Sequence, residues 1–77
     1  MKAISIAQFL AVPGNPNTKQ MIADRDWEGI QFLWSSTDND AHGIPHPVIP
    51  FRVREALRTE AAAVGIDLPR VFPAEQV

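Results

Sequence analysis

The sequence predicts a mainly α fold of three helices with a small two-stranded β wing, the first two helices forming a helix-turn-helix. Three observations predict it. The stretch PGNPN at residues 13–17 places turn-forming residues between two segments with helical spacing, which forces a tight reversal. An apolar run, GIQFLW at 29–34, is followed by nine small or polar residues and then by an extended, proline-containing stretch. After Pro50, the residues Val53, Ala56, Leu57, Ala61 and Val64 form an apolar stripe at helical spacing. A plain surface helix pair and a plain surface hairpin leave the same first two signatures, so the pattern speaks to architecture before function.

In chain order, the first helix is expected from Ile4 or Ser5 to Leu10. Ser5 is placed to cap it, Ile4, Ala7 and Leu10 or Ala11 fall on one face, and Phe9 extends that face. It stops before Pro13, which has no N–H to give a helix interior. The second helix is expected from Asn17 or Thr18, either of which can cap it, to Asp24. Met21 and Ile22 point inward, and Thr18, Lys19, Gln20 and Arg25 point outward. A helix of about two turns does not hold alone in water, so tertiary packing must supply its stability. Trp27 is the large anchor expected over the junction of these two helices.

Gly29 to Trp34 reads as the first wing strand, Ser35 to Gly43 as its loop, and Ile44 to Ile49 as a second strand that its prolines restrict to a short or edge position. The third helix opens at Pro50 and ends near Gly65, a suitable C-terminal cap, with Arg52, Arg54, Glu55, Arg58 and Glu60 as its polar surface. The domain is thus expected over residues 1–65. Residues 66–77 form a tail that packs in part through Ile66, Leu68, Val71 and Phe72, or begins a linker.

Length and composition bound what such a chain does. Seventy-seven residues make one domain with a thin core, and 45% apolar against 21% charged residues is a globular composition. There is no cysteine, so neither a disulfide nor a thiolate nucleophile or ligand is available. The opening MKAISIAQFLAVPG holds an apolar run far short of the roughly 20 residues that span a bilayer. A cytoplasmic location without membrane contact is the default expectation. The formal charge is −2, from seven Lys and Arg against nine Asp and Glu. That excludes a broadly basic nucleic-acid binder and leaves room only for a local positive patch.

The pieces SIAQFLAVPGNP, NTKQMIADRDW, the segment through Gly43 and IPFRVREAL follow one another in a recognisable order. Over residues 4–62 the chain resembles the Mu-type winged-helix DNA-binding domain, found at the N-terminus of bacteriophage Mu transposase and Mu repressor. That family has a short helix, a PG-x-P turn, a second helix with a Trp, a Gly-rich basic wing and a third helix introduced by a Leu-Pro-like pair. The resemblance implies a winged helix-turn-helix and sequence-selective binding of double-stranded DNA, as a repressor, a transposase module or another regulator of a Mu-like phage or prophage. It departs from the family at the wing, where Ser35 to Gly43 carries Asp38 and Asp40 and no Lys or Arg. Carboxylates are repelled by the minor groove that basic wings enter.

The expected DNA contacts are Asn17, Thr18, Lys19, Gln20 and Arg25 around the second helix, with Arg52, Arg54 and Arg58 as a second phosphate-facing set on the third. Arginines interleaved with Glu55 and Glu60 are also the pattern of an ordinary solvated helix face. One short recognition helix buries little surface, so a homodimer or multimer is the expected route to useful specificity. The alternative is a protein-interaction module whose acidic wing meets a basic partner or mimics DNA, with Trp34, Asp38 and Asp40 as its contacts. An enzyme is the weakest reading. His42 and His46 stand four apart, yet Gly43, Pro45 and Pro47 keep that segment from being helical, so no metal site, catalytic residue or cofactor is expected.

Overall fold

The structure is a computed structural model that describes residues 2–70. It is rich in helix, with four α-helices, a single 3₁₀ turn and one two-stranded antiparallel sheet. Helix α1 spans Ile6–Ala11. Ser5 caps it through a reciprocal box in which Gln8 N–H donates to Ser5 Oγ at 3.1 Å and Ser5 N–H to Gln8 Oε1 at 2.9 Å. The buried face holds Ile6 and Phe9, with Ile4 and Leu10 partly covered, while Ala7 and Ala11 are exposed. The inward face is therefore rotated from the one expected, because two large side chains bury more apolar area than two alanines.

Helix α2, Pro16–Ala23, begins earlier than expected. Asn15, and not Asn17 or Thr18, is the cap: its Oδ1 accepts from Asn17 N–H at 2.8 Å and Thr18 N–H at 3.3 Å. Pro16 occupies the first turn, where its missing N–H costs nothing and its fixed φ suits a helix.

The main departure from expectation is α3, Trp27–Leu33, in the segment read as a strand. Asp26 caps it by accepting from Gly29 N–H at 3.1 Å, and Ile30 and Trp34 bury while Trp27 and Leu33 pack half-exposed against the same core. Those positions recur at three and four residues, a helical period that shows only when the window opens at Trp27. Gly29 disguised it, and its role is close approach: a Cβ there would lie 2.9 Å from Asp26 Oδ2 and 3.1 Å from Met21 Sδ of α2. The turn between α2 and α3 is equally tight. Arg25 sits in the left-handed region at φ 54°, held by its side chain as described below.

Strands β1, Thr37–Asn39, and β2, Pro45–Pro47, pair with Thr37 opposite Pro47, Asp38 opposite His46 and Asn39 opposite Pro45. The second strand thus lies within the short edge strand expected at Ile44–Ile49, while the first falls inside the expected loop and not at Gly29–Trp34. A hydrogen bond from Val48 N–H to Ser36 O at 3.0 Å closes its base.

Pro50 precedes a 3₁₀ turn, η1, at Phe51–Val53, which leads into α4, Arg54–Ala63. Gly65 at φ 83° ends α4 in a Schellman motif: Gly65 N–H donates to Ala62 O at 3.1 Å and Ile66 N–H to Ala61 O at 2.8 Å. Val53, Leu57 and Ala61 are fully buried, but Val64 is 62% exposed because the helix ends beneath it. The segment after Gly65 joins the core through Leu68, with Ile66 partly covered. Val71 and Phe72, expected to pack there, lie outside the described residues.

At the centre lies Arg54, fully buried. Its Nε donates to Ile49 O at 3.0 Å and its Nη1 to Trp34 O at 2.6 Å. The guanidinium carbon stands 4.4 Å from the Trp34 ring centroid and 5.2 Å from that of Phe51. A domain of this size has roughly 4–12 kcal/mol of stability in total. Hydrogen bonds from a charged donor are each worth about 1.5–3 kcal/mol. A lysine cannot reach both carbonyls and stack at once, so Arg54→Lys is expected to lower unfolding stability by about 2–3 kcal/mol. Urea denaturation followed by Trp fluorescence measures it, and an unchanged midpoint would remove Arg54 from its central role.

Candidate nucleic-acid interface

The structure distributes the eight expected DNA contacts among very different environments. Thr18 is 7% exposed and Arg54 fully buried, so neither reaches a groove or a phosphate. Thr18 turns inward because it shares a helix face with Ile22, one turn on. Arg54 turns inward because it begins α4 directly beneath the Trp34 and Ile49 carbonyls.

Arg25 and Arg58 are held as braces. Arg25 donates to Glu60 at 2.6 Å and 3.2 Å and to Ile22 O at 2.8 Å, pinning the α2–α3 turn to α4 and holding its left-handed backbone in place. Arg58 donates from Nε to Leu68 O at 2.8 Å and from Nη1 to Glu55 at 3.2 Å, tying the chain after Gly65 back onto α4. Arg70 reaches the same Glu55 at 3.0 Å.

The other four stay on the surface. Asn17 and Gln20 are exposed on α2, with Gln20 Nε2 donating to Asp24 at 2.9 Å. Lys19 is half-buried, and its ammonium donates to Val12 O, where α1 ends. Arg52 is exposed on η1, and its carbonyl accepts from Ile4 N–H at 2.9 Å. That bond ties the N-terminal segment to η1 just ahead of α1, and Lys2, two residues earlier, is exposed. Lys2 was not singled out in the sequence because nothing local marks an N-terminal lysine. Helix α1 is six residues and about 9 Å long, with the Ile4–Arg52 bond before its start and Lys19 on the carbonyl at its end. Among the described residues, no carboxylate stands within ion-pair distance of Lys2, Lys19 or Arg52. The amide groups opening α2 are already taken by Asn15, so cationic side chains, not free helix N–H groups, are what this side offers an anion.

The alternative contacts divide as well. Trp34 is 2% exposed, and its Nε1 donates to Pro69 O at 2.7 Å. It is a core residue, which removes it as a partner contact. Asp38 and Asp40 are both exposed on the hairpin. Asp40 organises the hairpin's tip: its carboxylate accepts from His42 N–H at 2.8 Å and Ile44 N–H at 3.0 Å and lies 2.8 Å from His46 Nε2. His42 thus meets Asp40 through its backbone and His46 through its ring, two roles in one turn.

The hydrogen bond from His46, then those from Ile44 and His42, hold the Asp40 carboxyl below its ordinary range. A depressed folded-state value means that Asp40 supports the hairpin above the unfolded carboxylate range, and that this support is lost as pH falls through the folded value. Acidification below about pH 4 is therefore expected to raise amide exchange at His42 and Ile44. Asp40→Asn should show faster exchange there already at neutral pH, without that acid step. Amide exchange by NMR reads both, and an acid step of equal size in the variant would place its origin elsewhere.

Comparison of the chain with protein-family models, with curated proteins and with solved structures finds no match in any of the three.

Proposed function

We propose that the chain is a non-catalytic helix-turn-helix module that contacts double-stranded DNA through the side formed by α1, the N-terminal half of α2 and η1. The observation that carries this reading is the set of exposed or half-exposed cations Lys2, Lys19 and Arg52, which have no ion-pair partner among the described residues, with Lys19 on the carbonyl that ends α1 and the Arg52 carbonyl bonded to Ile4 before α1 begins. Asn17 and Gln20 stand on the same helix as Lys19 and bring groups that can bond phosphates or base edges. The resemblance to Mu-type winged-helix domains supports the same function, with the hairpin in the place of the wing and a role as repressor, transposase module or related regulator. The acidic hairpin lacks the cations that such a wing brings to the minor groove, so binding rests on the helical side and is weak for a single copy. Joined copies raise it without new contacts.

A second reading has its own support. Asp38 and Asp40 are exposed on a hairpin with no Lys or Arg from Trp27 to Phe51. A surface of that sign suits a basic protein partner, or mimicry of DNA toward one.

Fluorescence anisotropy against random labelled duplexes separates the two. Three phosphate contacts give a log–log salt slope of about −3, a loss of about 40-fold in affinity from about 50 to about 200 mM salt. Lys19→Ala and Arg52→Ala should each flatten the slope by about one. Absence of binding at the lower salt would move the function to the second reading.

A further inference from the structure

We propose that the outer face of α3, together with the cleft beside it, is a docking site for a cationic amphipathic peptide segment of a partner protein: one bulky apolar side chain flanked by Lys or Arg. The inference goes beyond both readings above and uses neither the residues of the DNA-facing side nor the hairpin's Asp38 and Asp40.

Three observations carry it. Phe32 is 83% exposed, although Ile30, Leu33 and Trp34 around it on the chain pack against the core. A single exposed ring is ordinary on a protein surface, and what sets this one apart is the cleft next to it. Beside it, Gln31 and Ser35 of the same face join Trp34, Asp67, Leu68 and Pro69 around a cleft of about 250 Å³. That volume falls below the roughly 300–1,000 Å³ of small-molecule sites, and suits a single side chain entering from the surface.

The cations nearest the cleft, Arg58 on Leu68 O and Arg70 next to Pro69, are both engaged by Glu55, so the free charge of this face is carried by carboxylates. Glu28 lies one helical turn before Phe32, and Asp67 lines the cleft; both are exposed, and neither has an ion-pair partner among the described residues. No Lys or Arg occurs from Trp27 to Phe51. Nucleic acid is repelled by this surface. A two-fold pair of this chain would set Glu28 and Asp67 against the same carboxylates, and a head-to-tail pair is read out by the self-association arm of the test below. A cationic segment is complementary: its apolar residue fills the cleft, its cations face Glu28 and Asp67, and an arginine can lie over the Phe32 ring.

The test uses the full 77-residue chain, labelled with ¹⁵N, and a panel of short synthetic peptides with a central Leu, Ile or Phe flanked by Arg. Controls replace Arg by Glu or the central residue by Gly. The expected result is a set of amide shifts confined to Glu28–Ser35, Asp67 and Leu68, with the controls at least about tenfold weaker. Phe32→Ala, whose ring contributes little to the core, and the pair Glu28→Gln with Asp67→Asn should each weaken binding about tenfold or more while leaving the melting temperature within about 2 °C. Shifts centred on α1, α2 or η1, no shift with any peptide at millimolar concentration, or full affinity in both variants would overturn the proposal. So would binding that appears only in a chain ending at Arg70, which would assign the cleft to Val71–Val77, or concentration-dependent self-association abolished by Phe32→Ala. Duplex binding is measured on the same samples: its loss with peptide binding intact removes the DNA reading alone, and the reverse removes the docking site alone.

Discussion

The buried guanidinium of Arg54 is the constraint around which this small chain closes. Two of its hydrogen bonds go to main-chain carbonyls from different parts of the chain, Trp34 at the end of α3 and Ile49 at the return from the hairpin. Both ends of the hairpin excursion are thereby fixed to the first residue of α4. Among the described residues, the carbonyls and the faces of Trp34 and Phe51 take the place of its water. Trp34 passes the constraint on, since its indole N–H holds Pro69 O, and Arg58 holds the neighbouring Leu68 O. In a domain too small for a broad hydrophobic core, a few directional bonds to backbone carbonyls do what further apolar layers do in larger ones.

The same economy limits the surface chemistry. Of the arginines on which a second DNA-facing set was expected, Arg54 is consumed by the core and Arg58 by Glu55 and Leu68, while Arg25 holds a left-handed turn against α4. Their charges stabilise the molecule and are only partly available to a ligand. Lys2, Lys19 and Arg52 keep their charges without an ion-pair partner among the described residues, so a chain of net charge −2 still has cations that an anion can approach. The carboxylates of α3 and the hairpin lie elsewhere in the fold.

Much of the framework was legible because its signals are local. Ser5 as the first cap, the reversal before α2, and Gly65 after the apolar stripe of α4 are motifs that work within a few residues, and each is where the sequence places it. The failures come where a local signal supports two outcomes. GIQFLW has the length and apolarity of a strand, and only Asp26 as a cap and the spacing from Trp27 through Ile30 to Trp34 mark a helix. The second strand of the hairpin lies where it was expected, but its partner moved, because once 27–33 is helical the pairing must use the polar residues beyond it. At the candidate interface, residue type was a poor guide. Arg54 and Arg52 stand two apart with the same chemistry in the sequence, and one is the centre of the core while the other faces solvent. What separates them is long-range: the carbonyls of Trp34 and Ile49 converge on position 54, and no local pattern announces that.

Relocating residues 27–33 from strand to helix also changes what the surface can do. A strand in a wing alternates its side chains, which would have set Phe32 and Trp34 on one face and Ile30 with them. A helix separates them instead, sending Ile30 and Trp34 to the core and Phe32 outward beside Glu28 and Ser35. The exposed ring therefore follows from the helix and not from a failure of packing, because the positions that complete the apolar face are already filled. Since α3 is fixed by its cap, by Gly29 against Met21 and by the Trp34 carbonyl on Arg54, the ring is presented from a rigid support. Binding to such a surface loses little ordering entropy, so even a shallow cleft can hold a complementary segment.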